Sequence, residues 1–148
     1  ETESESEIVK EREEALAREL EAMRKKKQKL VDPIQYAFSI AADDLADYEP
    51  TFTWEMAPAS DKQLEYLEKH GIYPESVTCA GMASLLIEKL KNRQIEGLAT
   101  PKQIRFLERY GFLHVGLWTF EAASKMITRI SMNSWYLPRG IDPKSYQP

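Results

Sequence analysis

One segment occurs twice in this chain, and the duplication limits its architecture more than any other feature. Residues 60–72 read Ser-Asp-Lys-Gln-Leu-Glu-Tyr-Leu-Glu-Lys-His-Gly-Ile, and forty positions on residues 100–112 read Thr-Pro-Lys-Gln-Ile-Arg-Phe-Leu-Glu-Arg-Tyr-Gly-Phe. Lys62 aligns with Lys102, Gln63 with Gln103, Tyr66 with Phe106, Leu67 with Leu107 and Gly71 with Gly111. The same offset carries Ala83-Ser84 onto Ala123-Ser124, Leu86-Ile87 onto Met126-Ile127 and Leu90 onto Ile130. Two segments held in one register over some thirty residues are an internal repeat, and repeats of this length stack on one another to complete a core.

The chemistry of one copy predicts its shape. Ser60 and Thr100 are N-cap residues with Gln three positions on, the capping-box spacing. Pro101 falls at the first helical position, where its missing N–H costs nothing. Leu64 and Leu67, like Ile104 and Leu107, share one helical face at i, i+3. Gly71 and Gly111 supply the residue that ends a helix with positive φ. After a linker of seven or eight residues, a second helix is expected from near Thr78 or Thr119, with Ala83, Leu86, Ile87 and Leu90, or Ala123, Met126, Ile127 and Ile130, along its apolar stripe. Each copy is therefore a helix–linker–helix, and one such hairpin of about 35 residues buries too little surface to stand alone. The predicted fold class is all-α: two tandem repeats packed together, with a charged N-terminal helix and an extended aromatic strap.

Four segments are expected. Residues 1–31 start with Glu alternating with Ser or Thr over 1–6, which predicts disorder. From Glu7 to about Leu30 the Ala, Leu, Glu, Lys and Arg content without Gly or Pro predicts a helix. Val9, Leu16, Met23 and Leu30 are spaced by sevens, but Glu13 and Lys27 interrupt the second seam position, so the helix reads as solvated, with a weak dimer through it as the other possibility. The basic run from Arg24 to Lys29 complements the dipole of that helix's C-terminus. In residues 32–58, Ile34 to Leu45 reads as a second helix started by Asp32-Pro33. Residues 48–58 alternate Phe52, Trp54 and Met56 with Thr51, Thr53 and Glu55 between two prolines, which predicts an extended strap packing its aromatics against the helices. Residues 59–99 are repeat 1. Residues 100–148 are repeat 2 and a Pro-rich tail in which Trp135, Tyr136, Leu137 and Ile141 are able to fold back onto the core.

Charge is distributed unevenly along these segments. The net charge of −4 hides a C-terminal third with seven basic and three acidic residues (100–148), whereas residues 32–58 have six acidic and no basic ones. Such asymmetry bears on partners. No run approaches the roughly 20 apolar residues of a membrane span. A single Cys79 excludes an internal disulfide and fits a reducing, cytoplasmic setting. The lack of an initiating Met suggests a fragment of a longer protein.

No phosphate loop, HExxH, paired CxxC or nucleophile elbow occurs, so no catalytic residue and no metal ligand is expected. His70 precedes a stop glycine and reads as structural, as does Cys79. The capping box accounts for Gln63 and Gln103. Lys62 and Lys102 have no such explanation, since a first-turn lysine opposes the helix dipole, and their recurrence points to an anionic partner. In repeat 2, Arg105 with Arg109 and Lys125 with Arg129 stand at i, i+4, where like charges repel by a few tenths of a kcal/mol. Repeat 1 has Glu65, Lys69, Leu85 and Lys89 there. Solvated surface explains these cations as well as phosphate contact does. Arg139 would extend the set.

Asp32-Pro33, the run Asp47-Tyr-Glu-Pro-Thr-Phe-Thr-Trp-Glu-Met-Ala-Pro58, both Lys-Gln repeats and Pro138-Arg-Gly-Ile-Asp-Pro143 resemble the C-terminal region of bacterial and phage DEAD/DEAH-box helicases of superfamily II. The resemblance covers about residues 30–148. It implies a non-catalytic accessory module of an ATP-dependent helicase, with the motor domains and nucleic acid, DNA first, as partners. ATP and Mg would belong to those motor domains, and no cofactor is expected in this chain. The expected contacts to nucleic acid are Lys62, Lys102, Arg105, Arg109, Lys125, Arg129 and Arg139. The alternative is a module that docks on the motor or another protein through Trp54, Trp118 or Trp135.

Overall fold

A computed structural model of the chain describes residues 2–148. Its order is α1 (Thr2–Lys29), α2 (Pro33–Ser39), α3 (Asp43–Ala46), α4 (Thr53–Met56), α5 (Asp61–Lys69), α6 (Ala80–Glu96), α7 (Pro101–Arg109) and α8 (Phe120–Met132), with 3-10 turns at Pro74–Ser76 and Val115–Leu117. The described residues form no β-strand beyond two isolated bridges, Val31 with Ile72 and Leu98 with Thr119. The all-α class is as the repeat predicts. Helices α5 and α6 make the first hairpin, α7 and α8 the second.

The repeat governs the local structure atom by atom. Ser60 Oγ accepts from the Gln63 N–H at 3.2 Å while Gln63 Oε1 accepts from the Ser60 N–H at 2.9 Å, and Thr100 with Gln103 does the same at 3.2 and 3.0 Å. Each glutamine then uses its amide N–H to tie its helix to the next one: Gln63 Nε2 reaches Ser84 Oγ at 3.1 Å, and Gln103 Nε2 reaches Ser124 Oγ at 2.9 Å. Gly71 (φ 92°) and Gly111 (φ 94°) close α5 and α7 by bonds back to Glu68 and Glu108, and the following N–H groups return to Leu67 and Leu107. The start of each second helix is held by the chain before its first helix, since Ala80 N–H donates to Ala57 O and Phe120 N–H to Gly97 O.

Leu67 and Leu107 are both fully buried, as are Leu86 and Ala83 in one copy and Met126, Ile130 and Ala123 in the other, and all belong to one continuous core. Helix α2 starts where Asp32 caps the N–H groups of Ile34 and Gln35 (3.1 and 3.2 Å) and buries Tyr36 and Ala37 in that core.

Four local expectations fail. Residues 2–6 continue α1 rather than lacking structure; residue 1 lies outside the described residues. The single helix expected from Ile34 to Leu45 is two, because Ala41 takes a left-handed conformation (φ 56°) that ends α2. At this stop Gly116 of the repeat 2 linker packs on the backbone of Ser39 and Ile40, and a Cβ at residue 116 would lie 3.2 Å from Ile40 Cα. The aromatic strap holds one helical turn, α4, at its middle, and from Thr51 to Met56 only Glu55 turns inward. Glu55 is buried, accepting from the Tyr48 hydroxyl and, at 3.3 Å, from the Thr51 N–H, while Phe52, Trp54 and Met56 face outward. A satisfied carboxylate fits inside where its hydrogen bonds replace water. In the tail, Leu137 and Ile141 pack on the core as expected, but Trp135 and Tyr136 stay exposed.

Candidate functional site

Six of the seven predicted contact residues, Lys62, Lys102, Arg109, Lys125, Arg129 and Arg139, have exposed side chains. The seventh, Arg105, does not share their outward position. It is half-buried and donates to the main-chain carbonyl of Leu30 just past the end of α1, and burial, with Arg109 nearby, holds its pKa below the ordinary arginine value. The i, i+4 spacing of Arg105 and Arg109 therefore separates two roles: Arg105 clamps the N-terminal helix, and Arg109 faces solvent. Lys102 also has a structural part, because its aliphatic stem covers Gly71.

The N-terminal attachment is reinforced by Lys26, which bridges Glu75 at 2.6 Å and Glu68 at 3.1 Å. Before that point α1 is exposed along most of its length, including Val9, Leu16 and Met23. Of the three tryptophans considered for protein docking, Trp118 is closed off. It is buried at 4% exposure and packs edge-on against Phe112 and beside Tyr146. Trp54 and Trp135 remain outward, each 59% exposed.

A feature that the sequence does not announce lies between the hairpins. A cleft of about 690 Å³ is bounded by the end of α5, the end of α6 and the N-terminal turns of α7 and α8. Its charged lining is Lys69, Arg93 and Lys102 against Glu121, with His70 beside them. Arg93 Nη2 donates to Gly116 O at 2.8 Å and to Ala99 O at 3.2 Å, stapling the end of α6 to repeat 2, but its buried Nε has no partner within the protein. Tyr36, 1% exposed, also lines the cleft, and its buried hydroxyl lies beside the Arg93 guanidinium. Burial pushes the Tyr36 pKa up, against the pull of the neighbouring Arg93 charge. The sequence held one sign of this: Arg93 stands where repeat 2 has Asn133, and both side chains serve main-chain carbonyls of the segment that follows.

No protein-family model matches this chain, and no curated protein or solved structure matches it either. No helix among the described residues is long and apolar enough to cross a membrane.

Proposed function

We propose that the chain is a non-catalytic accessory module of a larger ATP-dependent superfamily II helicase, binding nucleic acid through its phosphates on the outer surface of repeat 2. The observation that supports this reading is the state of its cations. Lys102, Arg109, Lys125, Arg129 and Arg139 are exposed, among the described residues none of them forms an ion pair, and they stand in the segment where seven basic residues face three acidic ones. Unpaired surface cations on the one positive segment of an acidic chain suit a polyanion. None of these side chains is arranged for base readout, so the affinity belongs to the non-specific class, about 10⁻⁴–10⁻⁶ M at physiological salt.

The test is a titration with single- and double-stranded DNA at two salt concentrations. Arg109→Glu together with Arg129→Glu should weaken binding on both DNAs and lower the salt slope by about one for each phosphate no longer neutralised. Lys10→Glu with Arg12→Glu on the exposed α1 serves as the charge-matched control. If the repeat 2 pair leaves affinity and slope unchanged, the reading fails.

One observation favours a second reading, docking on a protein. Phe52, Trp54 and Met56 crowd one helical turn and are 63%, 59% and 58% exposed. A docking partner held by them would be released by Trp54→Ala and would be insensitive to salt, the reverse of the nucleic-acid outcome.

A further inference from the structure

Helix α1 has no packing partner over most of its length. Its 28 residues span about 42 Å, and from Ser4 to Met23 no side chain is buried. Helices in proteins owe most of their stability to a partner that covers an apolar face, and α1 leaves such a face open. Val9, Leu16, Leu20 and Met23 line one side of it, each about half exposed. The charges of the helix are sorted by half. Residues 1–14 hold seven acidic and two basic side chains, and residues 15–29 hold two acidic and six basic, for net charges of −5 and +4. Among the described residues, Glu21 with Arg24 and the Lys26 bridges to Glu68 and Glu75 are the only ion pairs that α1 makes. Of the lysines at its C-terminal end only Lys26 turns to the body, while Lys25, Lys27 and Lys29 are exposed.

Such a helix complements itself only when reversed. Two copies side by side in the same direction set −5 against −5 and +4 against +4, at an interaxial distance of about 8–10 Å, close to one Debye length at physiological salt. Run in opposite directions, each acidic half lies on the other copy's basic half, and the two macrodipoles oppose as well. A twofold axis between residues 14 and 15 serves the charges and the apolar stripe together. It sets Val9 of each copy beside Leu20 of the other, with Arg12 alongside Glu19. Leu16 falls opposite Glu13, which weakens the seam and keeps the pairing reversible. We propose that the chain self-associates through α1 as an antiparallel helix pair, a twofold dimer whose partner is a second copy of this chain. No residue of α1 belongs to the outer cations of repeat 2, so this pairing is independent of the nucleic-acid reading above.

Sedimentation velocity on the full chain, from about 5 µM to about 500 µM, should show a reversible monomer–dimer equilibrium with a dissociation constant on the order of 10⁻⁵ M. Raising the salt from about 0.05 M to about 0.5 M should weaken the dimer several-fold, because the opposed charges are screened. A parallel pair, with like charges adjacent, would tighten instead. Leu16→Asn with Leu20→Asn alters only exposed positions, so the repeats should melt as before while the dissociation constant rises about tenfold or more. Direction is read by mixing a Ser6→Cys chain with a Met23→Cys chain under oxidising conditions, Cys79 being buried in both. The antiparallel register sets residue 6 beside residue 23, so mass spectrometry should find the mixed disulfide in excess over the two symmetric ones. A chain that stays monomeric at about 500 µM, a dimer that tightens with salt or is indifferent to the leucine changes, or a predominance of symmetric disulfides would each overturn the proposal.

Discussion

Gly81 stands at the start of α6, under the hydrogen bond between Tyr48 and Glu55. A Cβ there would collide with the Tyr48 hydroxyl and come within 2.8 Å of Glu55 Cβ. That bond holds the Glu55 carboxyl below its ordinary pKa and pushes the Tyr48 hydroxyl up to about 12, so the pair is mutually dependent. Alanine is the better helix former by about 1 kcal/mol, yet Gly81→Ala should destabilise the chain by about 1–3 kcal/mol, because overpacking outweighs propensity. A denaturant midpoint that rises in Gly81→Ala would show that Tyr48 moves aside freely. His70 makes a prediction about pH. Burial, with Lys69 adding to it, depresses its pKa from the ordinary 6.5. The unfolded chain therefore binds the proton first, and stability should fall as pH drops through about 6.5, the loss levelling off below the folded-state pKa. His70→Gln should flatten that decline, measured as urea midpoints between about pH 7.5 and about pH 5.5.

In the paired hairpins, Gln63 and Gln103 each join three partners: their own cap residue, the main chain and a serine of the next helix. Gln103→Glu retains the oxygen that accepts from Thr100 N–H but loses the amide donor to Ser124 and Phe120. It should cost about 1–3 kcal/mol, the value of two hydrogen bonds, while helix content by circular dichroism is unchanged. An equal loss in a Thr100→Ala variant and none in Gln103→Glu would put the whole effect in the cap. The cap spacing, the stop glycines and the apolar stripe of each hairpin were legible in the sequence because they are local and occur twice. The serine partners were visible only as part of the repeat, since a 21-residue separation carries no local signal. Segments outside the repeat were legible only in part. Period-two alternation suggested that Phe52, Trp54 and Met56 point inward, yet the hydroxyl of Tyr48 makes Glu55 the residue to bury. Nothing near Ala41 marks the end of α2, and the contact of Gly116 with Ser39 and Ile40 beside it is a long-range one with no local signal.

At the scale of the whole molecule, the division after residue 31 cuts through a packed joint. Leu30 and Val31 are buried, Val31 pairs with the repeat 1 linker through Gly71 O at 2.7 Å, and Arg105 is tied to Leu30. A chain starting at Arg24 should melt like the full one, because α1 before that point is exposed and Lys26 is kept, whereas one starting at Asp32 should lose on the order of 2–5 kcal/mol with two buried side chains. Equal melting temperatures for the two would mean that the joint contributes nothing. The cations of repeat 2 were readable as residue types, but the diversion of Arg105 and the gathering of Tyr36, Lys69, Arg93 and Lys102 around one cleft depend on how the hairpins meet. The two stop glycines show what that meeting entails. Gly71 is roofed by Lys102 of the next copy, and Gly111 by Pro143 of the tail, whose ring is 3.5 Å from where a Cβ would stand. The tail thus occupies the seat that a third copy's lysine would take. Tandem arrays lengthen by adding units at an open end, and here that end is plugged, so inserting another hairpin after residue 132 would require Pro143 to be displaced before the new unit could dock.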